Sequence, residues 1–367
     1  MSNKKTDGDI STAGKLRGEQ VWEERPLTRR QAATRNVVLF LVKLCVTGVL
    51  LAICLAWIDL GDVAEVFVGI KLMTLALAFA FAVLGTIYLP AVVTKHALGI
   101  DRIDLSLREL VAINFSLRFY VIILPRVVSL GLRWLRYGKG RLSHDALALL
   151  GFERAVYLTT MFACALVAVS IELPALGNWG AAIWMTTFAG AAVSLVALLP
   201  FLYGPAVRLL AAVSGRCENL LPEFLATKLR NLVEAVTAFR SLRKSSNFMI
   251  FCLSAGSVVF FVLSAYVVAR SLGVEITFLA LLWVRALVFA LTLIPISIGG
   301  VGLREVGFVG LLSFYGVPAP DALAFSFANF GLQLAIAAIG ALLEAHRMMR
   351  RLSDHRQIDV KKLEENN

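Results

Sequence analysis

The stretch Ile294-Pro295-Ile296-Ser297-Ile298-Gly299-Gly300-Val301-Gly302-Leu303-Arg304-Glu305-Val306-Gly307 sits in the middle of an apolar run from Phe278 to Tyr315. Proline removes a backbone donor and blocks the helix behind it, and clustered glycines permit the chain to reverse. The run therefore reads as a broken or re-entrant segment. A second run, Leu107 to Arg136, has Pro125 in its middle and reads the same way. The alternative at either site is a proline kink whose freed backbone groups are met by neighbouring Ser or Thr.

Around these two runs the chain is written for a bilayer. Of its 367 residues 59% are hydrophobic and the mean hydropathy is +0.78, which excludes a water-soluble fold. Apolar runs of about 20 residues, enough to cross roughly 30 Å of hydrocarbon, recur at Val37 to Trp57, Leu72 to Val92, Ala146 to Ile171, Ala181 to Tyr203, Phe248 to Val268 and Ala322 to Leu343. The expected fold is all-α and polytopic, with six full spans and two re-entrant or broken hairpins. Residues 1–36 are polar, mix both charges and lack a signal-peptide core, so they read as a disordered cytoplasmic tail. The five cysteines form no CxxC pair, and neither a disulfide framework nor a zinc site is expected.

Loop charge decides how the broken segments run. If both turn back, the inside pieces 1–36, 93–107, 134–144, 204–247 and 345–367 hold 26 Lys and Arg, and the outside pieces hold only Lys71 and Arg270. Had the first broken segment crossed, Arg136, Lys139 and Arg141 would lie outside, against the positive-inside rule. Both termini are thus expected in the cytoplasm. The net charge of +11 belongs to the cytoplasmic face and anionic headgroups, not to nucleic acid, for which no reading motif exists. Residues 204–247 read as interfacial amphipathic helices or as a linker between halves.

The halves repeat one order of marks. Val92-Val93, Leu98-Gly99-Ile100, Leu124-Pro125, Gly131-Leu132-Arg133 and Asp145-Ala146-Leu147-Ala148-Leu149 match Val267-Val268, Leu272-Gly273-Val274, Ile294-Pro295, Gly302-Leu303-Arg304 and Asp321-Ala322-Leu323-Ala324-Phe325. Three crossings separate equivalent points, so an inverted repeat is expected, residues 37–171 and 172–344, followed by a cytoplasmic tail at 345–367. In transporters of that design the substrate site lies at the repeat interface near the midplane, built from discontinuous helices. Pro125, Pro295, Gly299, Gly300 and Gly302 are the expected hinges.

Charged side chains at bilayer depth need a partner or a purpose. Arg133 and Arg304 stand at matching places just past the breaks, and guanidinium forks bind phosphate bidentately. They are the expected headgroup ligands, joined by Arg126 and Arg285. Glu153, Arg154 and Glu305 complete the substrate-binding set, with Glu153 pairing one of these arginines. The competing reading makes them internal salt bridges of the bundle. Lys43 and Glu344, the latter near Arg347, read as interfacial. Asn114, Asn329 and Gln333 either line the same cavity or bridge helices.

The second break, with Val317-Pro318-Ala319-Pro320-Asp321-Ala322-Leu323-Ala324 after it, resembles the signature of the lysylphosphatidylglycerol synthase transmembrane-region, or flippase-like, family. The family's form is Leu-Pro, a glycine pair, a further glycine and Arg-Glu-Gly, then an Ala-Leu-rich last span. The first half departs from it: Pro125 is followed by Arg126-Val127-Val128-Ser129 where glycines are usual, and Glu153-Arg154 lacks the family's following Asp. The resemblance implies translocation of an anionic phospholipid or a polyprenyl-phosphate-linked lipid in the bacterial inner membrane, with membrane lipids and a lipid-modifying enzyme as partners. The best understood relatives carry a fused cytoplasmic synthase domain while others stand alone, and only about 22 residues follow the last span here, so no enzymatic activity and no cofactor are expected.

Two other classes remain open. Asp59, Asp62 and Glu65 in the first outside loop fit a glycosyltransferase using a polyprenyl-phosphate sugar, or an acidic cap at a helix start. An accessory subunit that scaffolds a lipid-modifying enzyme is the third.

Overall fold

The computed structural model describes residues 71–98, 105–123, 126–140, 144–206, 208, 209, 212, 236, 247–294, 297 and 300–365. They belong to the larger of two compact units, Lys43–Asn367. The tail 1–36, the first apolar run Val37 to Trp57, the acids of the first loop, most of 204–247, and Pro125, Pro295 and Gly299 lie outside the described residues.

The protein is all-α and polytopic. Helix α1 runs Leu72–Val83, a π-helical turn Leu84–Tyr88, then Leu89–Leu98. It is followed by α2 (Leu107–Ile123), α3 (Arg126–Tyr137), α4 (His144–Leu176), α5 (Gly180–Leu202), α6 (Asn247–Ser271), α7 (Phe278–Leu293), α8 (Leu303–Leu312) and α9 (Ala319–Glu365). Helix α9 continues beyond the apolar run that ends at Leu343. Among the described residues four stretches are long and apolar enough to cross a bilayer: Leu72–Ala97, Asp145–Leu202, Phe248–Ser271 and Ala319–Met349. The 58-residue one doubles back at Gly177, whose φ of +52° suits a residue without Cβ. Phe152 meets Phe201, and Trp184 Nε1 donates to Ser170 Oγ at 3.1 Å, so α4 and α5 lie antiparallel.

Helix α2 opens with Ser106 and Glu109, each capping the other: Ser106 N donates to the Glu109 carboxylate at 2.7 Å and Glu109 N to Ser106 Oγ at 3.3 Å. Where helices touch, small residues let backbones approach. A Cβ on Gly340 of α9 would strike the Phe115 carbonyl of α2, and one on Gly85 would strike the backbone of α6 at Ser257 and Phe261.

Both broken segments return to the end they entered. Thr277, which caps α7 through Ala280 N, donates to Glu172 at 2.7 Å, and Tyr315, just past α8, donates to the same carboxylate at 3.3 Å. The entry to α7 and the exit from α8 therefore meet at one end of α4. In the first half, Tyr137 in the last turn of α3 comes back beside Thr94 and Glu153, and the neighbouring Lys95 donates to Leu105 O, just before α2, at 2.8 Å.

Candidate functional site

The second break turns on Gly300 and Gly302, at φ +81° and +85°. L side chains rarely adopt these values. The turn aims Gly302 N at the Glu305 carboxylate, 2.6 Å away, and α8 starts there. Glu305 is fully buried and also pairs with the Arg304 guanidinium. Ser326 of α9 lies 3.3 Å from both, and the guanidinium stacks 4.4 Å from the Phe330 ring centre. In the same break Ser297 Oγ is buried without a partner.

The first half builds a second, half-buried pair with different parts. Arg133 of α3 meets Glu153 of α4 at 2.9 Å and donates to Tyr137 OH at 2.9 Å. Tyr137 donates onward to Glu153 at 3.2 Å, and Thr94 donates to the same carboxylate. Each post-break arginine thus has its own carboxylate, and each contacts the helix after its break: α4 for Arg133, α9 for Arg304. Arg154 lies over the Phe289 ring at 4.9 Å. Arg126 begins α3, and its side chain lies outside the described residues.

Between the two pairs lies a cavity lined by Ala82 and Thr86 of α1, Arg118 of α2, Phe261 and Ser264 of α6, Arg285 of α7, and Asn329, Leu332, Gln333 and Ile336 of α9. Its volume of about 20 Å³ is, by the same measure, room for about one water. At 1.5 Å per residue the α9 lining sits about 15 to 25 Å beyond Ala319, near the middle of a span of about 45 Å. The cavity is at mid-depth.

The π-turn of α1 supplies one wall. A π-turn disturbs the regular helical ladder, and here three successive carbonyls accept from other helices: Gly85 O from Ser257, Thr86 O from Arg118 at 3.3 Å, and Ile87 O from Asn114 at 3.0 Å. On the far side Arg285 donates to Asn329 Oδ1 at 2.7 Å and lies 3.9 Å from the Phe261 ring centre. Four ion pairs stand among the described residues, and neither Arg118 nor Arg285 is in one.

Polar clusters close both ends. At one, Glu172 holds Thr277 and Tyr315, and Trp283 Nε1 donates to Tyr315 OH at 2.9 Å. At the other, Glu344 of α9 meets Arg136 at 2.6 Å, Arg347 at 3.1 Å and Tyr120 at 3.0 Å. Twenty-five residues of helix, about 37 Å, separate Ala319 from Glu344.

The structure therefore brings Arg285, Asn329 and Gln333 to one cavity and sets Arg133 with Glu153, and Arg304 with Glu305, on either side of it. Arg118 joins the cavity lining, although the site set read from the sequence did not include it.

Residues 40–340 match the model of the family described as the lysylphosphatidylglycerol synthase TM region, and the chain belongs to that family. No curated protein matches the chain.

Proposed function

From membership in that family we propose that the chain is a translocator that carries an anionic phospholipid or a polyprenyl-phosphate-linked lipid across the bacterial inner membrane. The observation that carries this reading is the mid-depth cavity with arginines on its wall, placed between two helical segments that each enter the bundle and turn back. A polar locus at that depth is costly in a bilayer protein, and irregular backbone is tolerated there only when buried in protein or lining a wet cavity. Both costs make sense where a charged headgroup has to pass while its acyl chains stay in lipid.

The same reading makes the two halves inversely related, each giving one hinge and one arginine-bearing wall. The clusters at Glu172 and Glu344 act as the two closures, opened in turn. With the basic loops inside, both termini and the Glu344 closure face the cytoplasm. The headgroup phosphate is drawn to the arginines of the cavity wall, and a lipid-modifying enzyme supplies or consumes the lipid.

The test is transbilayer movement in liposomes holding the purified chain. The probes are acyl-labelled phosphatidylglycerol and a labelled polyprenyl phosphate, with an impermeant quencher outside. The quenched share is expected to climb from the outer leaflet alone toward the whole for at least one probe. If neither probe moves faster than in protein-free liposomes at verified incorporation, the reading is wrong.

A further inference from the structure

We infer that the mid-depth cavity is an oxyanion site in which Arg118 and Arg285, not the post-break pair Arg133 and Arg304, hold a phosphate-ester oxygen of the lipid. The inference rests on the translocator reading for the identity of the ligand, but its geometry stands apart from it.

Four arginines surround the centre, and they divide by partner. Arg133 and Arg304 are each neutralised by a carboxylate; the first pair ties α3 to α4, and the second, within α8, reaches α9 through Ser326. Arg118 and Arg285 meet only neutral acceptors, one backbone carbonyl and one amide oxygen. Arg285 is 6% exposed. A guanidinium at this depth without a counter-ion is costly, and two of them on one cavity, Arg285 buried and Arg118 partly so, without an acid partner among the described residues, are matched to an anion that comes and goes.

Several neutral groups complete the lining. Gln333 and Ser264 line the same space. The cavity both arginines line has room for one water-sized group, the size of a single phosphoryl oxygen. Asn329, which holds Arg285, sets the site's charge: an amide there leaves the arginine available, and a carboxylate would fill its need.

The experiment measures ligand-induced thermal stabilisation of the full chain in detergent. Three probes are used: dihexanoyl phosphatidylglycerol, inorganic phosphate, and dihexanoylglycerol, which has no phosphate. The phosphatidylglycerol is expected to raise the melting temperature saturably, inorganic phosphate to do so only at much higher concentration, and dihexanoylglycerol not at all. Arg118→Gln and Arg285→Gln are each expected to weaken the phosphatidylglycerol response about tenfold or more, the size of one charge-assisted hydrogen bond.

Asn329→Asp is the decisive companion, since it keeps both arginines and supplies an internal anion. It is expected to melt higher without ligand and to lose the response. It also decides the matter if the Gln variants do not fold. The inference is overturned if Asn329→Asp or both Gln variants respond like the wild type, if dihexanoylglycerol works as well, or if inorganic phosphate alone acts. Loss of binding in the variants, with no lipid movement by the wild type in liposomes, would keep the site and reject translocation. Unchanged binding beside active lipid movement would do the reverse.

Discussion

Glu305→Ala is expected to cost about 3 to 5 kcal/mol, because it strands the buried Arg304 guanidinium without its counter-charge. It also takes the acceptor from Gly302 N, the first donor of α8. The loss should appear as a large fall in the melting temperature of the detergent-solubilised chain. Removing both charges behaves differently. In Arg304→Met with Glu305→Leu, nothing charged is left buried, and replacing a buried pair by apolar groups of similar size is often neutral. The double variant should therefore recover most of what Glu305→Ala loses. A single-variant loss of under about 1 kcal/mol, the size typical of a surface pair, would show that the pair does not hold α8.

Gly302→Ala has the second large effect, and its cause is backbone strain. At φ +85° and ψ −55° the residue lies where a Cβ is strained against its own chain. Such positions cost about 1 to 3 kcal/mol, and here the strain falls on the peptide whose N–H Glu305 holds. Stability and lipid movement should fall together, as both depend on the turn from the break into α8. A control at Gly331, on the exposed side of α9 with open space around it, should leave both unchanged when replaced by Ala.

Much of the second half was legible because its chemistry is local. Proline and clustered glycines mark a break whatever surrounds them, and Gly300 and Gly302 do adopt the left-handed values such a turn requires. The apolar runs that fall on described residues were legible for the same reason, since length and hydropathy are properties of a window. What joins the windows was harder to read. Arg304 pairs with its own neighbour Glu305, although residues one apart do not share a helix face. The pair forms because both side chains are buried against Ser326 and Phe330, and no spacing rule anticipates that.

The π-turn at Leu84–Tyr88 leaves no sequence signature, since its residues suit an ordinary apolar helix. Its only trace is Gly85, which a close helix crossing also explains. Yet the turn gives α1 the carbonyl that Arg118 holds, and so helps to make a cavity wall. In the same way Asn329 and Gln333 resembled amides that bridge helices. Their four-residue spacing puts both on one face of α9, but only the residues that α1, α2, α6 and α7 bring opposite make that face a cavity lining.

The central claim is that the mid-depth cavity is a passage opened alternately to the two faces of the membrane. Gln333→Cys, in a chain whose five native cysteines are replaced, tests it with an impermeant maleimide applied to right-side-out or to inverted vesicles containing phosphatidylglycerol. Alternating access predicts modification of position 333 from both faces. Labelling from one face only, or from neither, would contradict it.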